Sequence, residues 1–214
     1  MYKVWKIGYI ERGHTKKLSH GEWSAINKNL LDDIINFFDG FEPGMSTTSN
    51  RWKNWKAILD LTTCLYCRTM HGTVYTLDEI VFDEPPVHPN CRCLFEAIQA
   101  IFSGYATRNG RDGADYWLKK FGELPNYYIG KGEAKARGWR SVKGNLAEVA
   151  PDMMIGGDVY QNRNRHLPQA EGRLWYEADI NYTGGYRTRH RVLYSNDGLI
   201  FVTYDHYETF IEII

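Results

Sequence analysis

The stretch Arg173–His206, RLWYEADINYTGGYRTRHRVLYSNDGLIFVTYDH, decides the fold. Val, Ile, Tyr, Phe and Thr dominate Leu174–Ile180, His190–Ser195 and Leu199–Tyr204, and Tyr207–Ile213 continues the pattern. Each run is bounded by Gly, Asn or Asp, so successive antiparallel strands are expected. Asn196-Asp197-Gly198 supplies a hairpin turn.

Side chains on a strand alternate faces, so Arg173, Trp175, Glu177 and Asp179 share one face, and Leu174, Tyr176, Ala178 and Ile180 the other. The first face is charged and the second mostly apolar. Arg187, Arg189 and Arg191 are also in phase, and a meander would lay this Arg row beside Glu177.

A carboxylate, a His and several cations together suit one chemistry in particular. Transfer of an RNA phosphate to the neighbouring 2′-OH needs a general base for that hydroxyl and a general acid for the leaving 5′-oxygen. It also needs fixed cations around the phosphorane-like transition state, and Arg forks fit phosphate oxygens. Residue types alone favour the plainer alternative of a salt-bridged sheet face with a surface His.

Longer words tilt that balance. ADYW, LPNYYI, KGEAKARGW, KGNLAEVAP, IGGDVYQNR, GRLWYEADINYTGGYR, RVLYS and TYDHYETF follow one another from Asp112 to Ile213. Over this length the chain resembles the barnase-like, guanyl-preferring bacterial ribonucleases. The resemblance implies Glu177 as general base and His206 as general acid. Lys131, Arg187 and Arg191 would hold the scissile phosphate, Tyr207 would stack near the substrate, and Asn162, Arg163 and Asn164 would lie in the guanine-binding loop. The family carries a Glu where this chain has Asn164, which puts strict guanine preference in question but not cleavage. The resemblance also implies an acidic, barstar-like immunity protein as partner and RNA as substrate, with no cofactor for catalysis.

Upstream, Ser19-His20-Gly21-Glu22 is a capping box, followed by apolar residues at helical spacing, so a helix is expected from about Gly21 to Phe38. Met1–Ile10 alternates weakly as a strand would. Asn50 is expected to open a second helix, with Trp52, Trp55, Leu59 and Thr62 on one stripe.

All four cysteines follow, as Cys64-x-x-Cys67 and Cys91-x-Cys93. A C-x₂-C pair some twenty residues before a C-x-C pair is close to zinc-ribbon arithmetic, with His71 and His88 as substitute ligands. Structural zinc, disulfides in a secreted protein and free thiols all fit this spacing. Four Cys ligands would leave no open position for catalysis. Trp55–Cys93, with LDLTTCLYC, the Gly72 turn and PPVHPNCRC, is similar to the C-terminal part of Mu-type phage head-morphogenesis proteins. Such modules can precede C-terminal toxin domains, which implies a pre-toxin or adapter role and a polymorphic toxin delivered into target bacteria. Secretion or delivery, with action in the cytoplasm, is therefore expected.

The polar, Gly-rich run Gly104–Gly113 is the expected junction between a domain of residues 1–104 and one of 105–214. Asp112 is expected to cap a helix through Phe121, with Tyr116, Trp117 and Phe121 on its buried side, and Lys131–Trp139 and Asn145–Ala150 to form two more. Helices first and an antiparallel sheet after them make the class α+β, with an N-terminal helical zinc-ribbon-like module.

The 214 residues carry no formal net charge and are 43% apolar. Residues 1–100 hold 11 Lys and Arg against 12 Asp and Glu, and residues 101–214 hold 15 against 14. Bulk charge therefore does not mark a nucleic-acid binder, and a basic cleft must come from local placement. No apolar run approaches the ~18 residues of a membrane helix, and the first residues lack a signal peptide's apolar core. The competing expectation is a non-enzymatic adapter of phage-head ancestry that binds but does not cut.

Overall fold

The computed structural model describes Ile10–Glu11, His14–Thr15 and residues 43–214. The chain divides into two compact units, Met1–Phe41 and Glu42–Ile214. In the first, strands β1 (Ile10–Glu11) and β2 (His14–Thr15) pair antiparallel. The helix expected from Gly21 to Phe38 lies outside the described residues, as does most of the strand expected over Met1–Ile10.

The second unit is α+β. Its strands are β3 (Ser46–Lys56), β4 (Val74–Thr76), β5 (Leu94–Ile101), β6 (Tyr128–Ile129), β7 (Met154–Tyr160), β8 (Trp175–Asp179), β9 (Arg191–Ser195), β10 (Ile200–Thr203) and β11 (Ile211–Ile213). Among the described residues they form one sheet in the order β4-β3-β5-β11-β10-β9-β8-β7-β6. Short helices α1 (Leu65–Met70), α2 (Ala114–Phe121), α3 (Lys131–Ala136) and α4 (Leu146–Val149) connect and cover it. Among the described residues, no helix is long and apolar enough to cross a membrane.

From β7 to β11 the sheet is the meander that the sequence pattern predicts, with antiparallel register at each step. Its two faces differ from expectation. Ala178, Ile180, Val192, Ile200 and Val202 pack on one side with α2, while Trp175, Leu193 and Phe201 pack on the other. The face expected to be charged is therefore largely core. Its charges survive only where Glu177 and Asp179 find cations and where Arg173 pairs with Asp197 at the hairpin. The strand expected over Tyr207–Ile213 is reduced to Ile211–Ile213.

The largest correction falls on Asn50–Thr62. The expected helix is instead most of β3, a long strand paired to both β4 and β5. Ser49, Trp52 and Trp55 are buried at a spacing of three, which imitates a helical stripe. The register shift between Thr48 and Lys53 accounts for the step from Ser49 to Trp52, whereas Trp52 and Trp55 lie on opposite faces of a regularly paired stretch and are both buried because each face has its own core cluster. The Ser49 hydroxyl accepts the Arg51 and Trp52 N–H groups at 3.1 and 3.2 Å and thereby holds the irregularity. Among the described residues, 43–103 are accordingly strand-rich, with α1 as the one helix.

Helix α2 starts after Gly113, and Asp112 sits in the preceding 3₁₀ turn. The helix buries Ala114, Asp115 and Leu118, while Phe121 is exposed, contrary to the expected aromatic face. Asp115 accepts hydrogen bonds from Gly104 N–H, Ala106 N–H and the Thr107 hydroxyl. The Gly-rich stretch around residue 104 is thus fastened within the unit.

One contact ties β3 to the chain's last strand. Glu212 on β11 is almost fully buried, accepting the Ser49 hydroxyl at 2.6 Å and the Trp52 indole N–H at 3.1 Å, with Arg51 ion-paired at 3.3 Å. Truncation at Glu212 would strand two buried donors. Glu212→Ala is expected to lower the unfolding free energy by about 3 kcal/mol, measured by urea denaturation. A loss under about 0.5 kcal/mol, the ordinary range for surface changes, would show that the contact is not a structural tie.

Candidate active site

Strand β8 presents Glu177 and Asp179 two residues apart, on one face and beside β9. Both carboxylates are inside the protein, Glu177 at 9% exposure and Asp179 at 0%. Burying charge without partners is expensive, so each has recruited cations.

Asp179 takes two. Arg187 grips it with a fork, Nε to Oδ2 and Nη2 to Oδ1, each at 2.6 Å. Arg191 Nε lies 3.0 Å from Oδ1, close enough to pair but off the hydrogen-bonding direction. Arg191 Nη1 donates to the Thr188 and His190 carbonyls, and the Arg187 guanidinium lies over the Trp139 ring at 5.9 Å. Neither guanidinium has much freedom left.

Glu177 is held from two directions. Lys131, the first residue of α3, reaches Oε1 with its ammonium at 2.5 Å, and the Tyr207 hydroxyl donates to Oε2 at 2.5 Å. Asp158 on β7 steadies Lys131 by accepting its backbone N–H at 3.2 Å. Burial pushes the Glu177 carboxyl up, but the Lys131 and Tyr207 hydrogen bonds, with the charges of Lys131 and Arg191, prevail and hold it below the ordinary range. It is an anion at neutral pH. Its folded pKa lies below the unfolded value, so its contribution to stability is present at neutral pH and is lost as pH falls through the lowered pKa.

His206 and Tyr207 follow β10 in left-handed backbone conformation, at φ +64° and +73°. Such geometry is costly outside glycine and must be fixed by its surroundings. Asp205 does this: its Oδ1 accepts the Thr203 hydroxyl and the Glu208 and Thr209 N–H groups, and its Oδ2 accepts the Thr209 hydroxyl. The Tyr207 ring stacks on Tyr160 at 5.2 Å, and His206 lies against Tyr207 at 4.7 Å. Burial and the positive charges of Arg191 and Arg189 push the imidazole's pKa down, against an upward pull from Glu177.

Lys131, Glu177, Arg187, Arg191, His206 and Tyr207 are thereby linked in one network of contacts and fields. Asn162, Arg163 and Asn164 stand apart on the loop after β7. Asn162 is buried at φ +41°, its amide donating to the Leu167 carbonyl and accepting the Leu167 N–H, so its side chain closes the loop. Arg163 and Asn164 are exposed there. Sequence reasoning gave no role to Asp179, Asp158, Tyr160 or Asp205. The phase of Asp179 with Glu177 on β8 was the available signal.

Residues 112–214 match the family described as ribonuclease. A ribonuclease of Heyndrickxia coagulans is 53% identical over 108 residues, which is 50% of this chain and 99% of that protein. Ribonucleases of Bacillus intermedius and Bacillus pumilus are each 53% identical over 108 residues, 50% of this chain and 67% of theirs. The chain belongs to the ribonuclease family. It is an endoribonuclease, which decides against the non-enzymatic adapter. Residues 44–96 of this ribonuclease match a second family, Phage Mu protein F like protein.

That second region holds the cysteines. All four are free thiols, gathered with His88 into two overlapping triads, Cys64, Cys67 and His88, and Cys67, Cys91 and Cys93. Cys67 Sγ lies 3.7 Å from Cys91 Sγ and 3.6 Å from His88 Nε2, which is 3.2 Å from Cys64 Sγ. Tetrahedral zinc, with bonds of roughly 2.3 Å to sulfur and 2.0 Å to nitrogen, sets such pairs at about 3.8 and 3.6 Å. His88 Nδ1 lies 2.9 Å from the Pro89 carbonyl, which favours a proton there and leaves Nε2 to bind. Burial works against the Cys91 thiolate, but N–H groups of Cys93 and Val87 prevail and draw it down to about 7. The donor set fits a zinc ion. His71, by contrast, accepts the Ala57 N–H on Nδ1 and stands outside the cluster.

Removing the Arg189 charge relieves a push on His206. Arg189→Gln is expected to raise the His206 pKa, read by NMR titration of its ring protons. Tyr207→Phe, which deletes one hydrogen bond to ionised Glu177, is expected to raise the Glu177 pKa. A fall in either value would contradict the electrostatics described.

Proposed function

We propose that this ribonuclease is a metal-independent toxin that cleaves single-stranded RNA by transphosphorylation. Glu177 takes the proton of the 2′-OH, the 2′-oxygen attacks phosphorus, the bond from phosphorus to the 5′-oxygen breaks, and His206 protonates that oxygen. The product is a 2′,3′-cyclic phosphate, which water then opens with the two roles reversed. DNA lacks the nucleophile and is spared. The observation that carries this reading is a buried, ionised Glu177 in contact with Lys131 and flanked by guanidiniums already fixed on Asp179.

Lys131 exchanges Glu177 for a phosphate oxygen when substrate arrives, and Arg187 and Arg191 neutralise the other equatorial oxygens. Preorganised charge of this kind acts on the transition state without reorganising.

We assign Arg163 and Asn164, in the loop that resembles the guanine-binding loop, to reading the base. A carboxamide in place of the family's carboxylate keeps an acceptor and adds donors but removes charge. Cleavage after purines, with a reduced preference for guanine over adenine, follows from that exchange.

The Phage Mu F-like region supports a pre-toxin role for the N-terminal part, delivery into target bacteria and action in their cytoplasm. A cell making this enzyme then requires an acidic, barstar-like immunity protein over the cleft. Zinc held by Cys64, Cys67 and the Cys91/Cys93 pair, with His88 as the alternative fourth ligand, would be structural. Its chemistry there is to cross-link two turns, since protein ligands fill its positions.

The first test is cleavage of a single-stranded RNA in excess EDTA, with the all-DNA strand alongside. RNA is expected to be cut after purines and DNA to survive. Glu177→Ala and His206→Gln are each expected to lower kcat/KM by roughly 10²- to 10⁴-fold while folding is retained. Undiminished cleavage in folded Glu177→Ala would remove it as the base. For the cysteine cluster, elemental analysis is expected to find about one zinc per chain, and a strong chelator to lower the thermal midpoint while a folded sample still cuts. A purified protein free of zinc with an unchanged midpoint would rule the ion out.

A further inference from the structure

Between α1 and the loop after β7 lies a cleft of about 670 Å³ that the reaction centre does not use. Arg68 and His71 line it from the phage-head-like side, and Arg163, Asn164, Arg165 and His166 from the loop. Among the described residues, three guanidiniums border it and no carboxylate does. That is unusual in a chain whose net charge is zero.

The two walls are fixed against each other. Val74 N–H donates to the Arg165 carbonyl at 3.2 Å, extending the edge of β4 onto the loop. Gly72 is at φ +81°, and a Cβ there would come within 2.7 Å of His166 Nε2, so only glycine lets the turn and the loop approach so closely. His166 is braced from behind by the Phe210 ring at 6.2 Å. The cleft is therefore a built feature of one folded unit.

Its position relates it to the chemistry. The loop leaves Tyr160, whose ring stacks on Tyr207 at the reaction centre, and reaches Asn164 four residues later. Four residues span at most roughly 14 Å, short enough for one RNA strand to touch both ends. Asn164 lies on the cleft wall, where a carboxylate would repel a polyanion.

We infer that this cleft is an additional RNA subsite, in which Arg68 and Arg165 bind a phosphodiester flanking the scissile one. The inference rests on the cleavage reaction proposed above and adds a substrate-length dependence to it. The region before residue 104 thereby becomes part of the substrate-binding surface. Arg68 donates to the Asp60 carbonyl at 2.8 Å, which orients the guanidinium and leaves other N–H groups for phosphate.

The test compares a purine-containing dinucleotide, too short to reach the cleft, with a single-site oligonucleotide long enough to cross it. In the full chain, Arg68→Gln and Arg165→Gln are each expected to lower kcat/KM on the oligonucleotide roughly three- to tenfold, through KM, and to leave the dinucleotide unchanged. Each is also expected to flatten the dependence of log kcat/KM on log salt by about 0.7. Thermal midpoints monitor folding, and Arg165→Gln carries the test alone if loss of the Asp60 contact unfolds the other variant. Parallel losses on both substrates overturn the subsite. So does an undiminished rate on the oligonucleotide, including the case where only the affinity of an acidic protein inhibitor falls. A wild type that cuts neither substrate overturns the proposed reaction as well.

Discussion

Asp179 is the constraint on which the site depends. A carboxylate with no solvent exposure is tolerable only when cations and hydrogen bonds replace the water it has lost. Arg187 and Arg191 supply the cations, and their own side chains are immobilised in doing so. The energetic requirement of the fold and the geometric requirement of the proposed phosphoryl transfer are thus met by the same contacts. Stability alone would be served equally well by an apolar trio of similar volume.

Around that pair the sheet does two jobs. Its central strands place Glu177 beside the guanidiniums, and its far edge carries β3 and β4, from the segment that matches the Phage Mu protein F like family, joined through β5 to β11. The parallel β5–β11 pairing and the buried Glu212 contact join segments more than a hundred residues apart in sequence. A ribonuclease fold whose last strand is an edge can extend in this way because an edge offers unpaired N–H and C=O groups to any strand that reaches it. Two segments matching different families consequently share one sheet.

What the sequence revealed follows from which interactions are local. The strands β8 to β10 were legible because alternation and turn residues are short-range signals, and α3 and α4 for similar reasons. Trp52 and Trp55 misled because β3 is covered on both faces, Trp52 in one cluster and Trp55 in another, and a strand buried on both sides loses its period of two. Resemblance singled out Glu177, His206, Lys131, Arg187 and Arg191, and the structure links them in one network of contacts and fields. Asp179 was visible only as a residue in phase with Glu177, because its importance comes from burial. Glu212 was not legible at all, for its partners stand some 160 residues away. The cysteine spacing predicted a cluster with His71 or His88 as a substitute, and the structure brings His88 in and leaves His71 outside.

The left-handed conformations of His206 and Tyr207 show how local strain is placed where it is useful. Side chains in that region of backbone space cost on the order of 1 kcal/mol or more each, and two in succession need a compensating frame. Asp205 provides it, gathering two backbone N–H groups and two hydroxyls around one carboxylate. The result turns two consecutive side chains toward Glu177, whereas in an extended strand they would point to opposite faces. Tyr207 reaches the carboxylate directly, and His206 lies close enough to feel its charge together with that of Arg191. A relaxed strand through residues 204–210 would be locally more stable, but it would separate the imidazole from the tyrosine. The interruption of the expected C-terminal strand is therefore a consequence of the site, and the frame that Asp205 builds is the reason that the loop holds its shape without glycine.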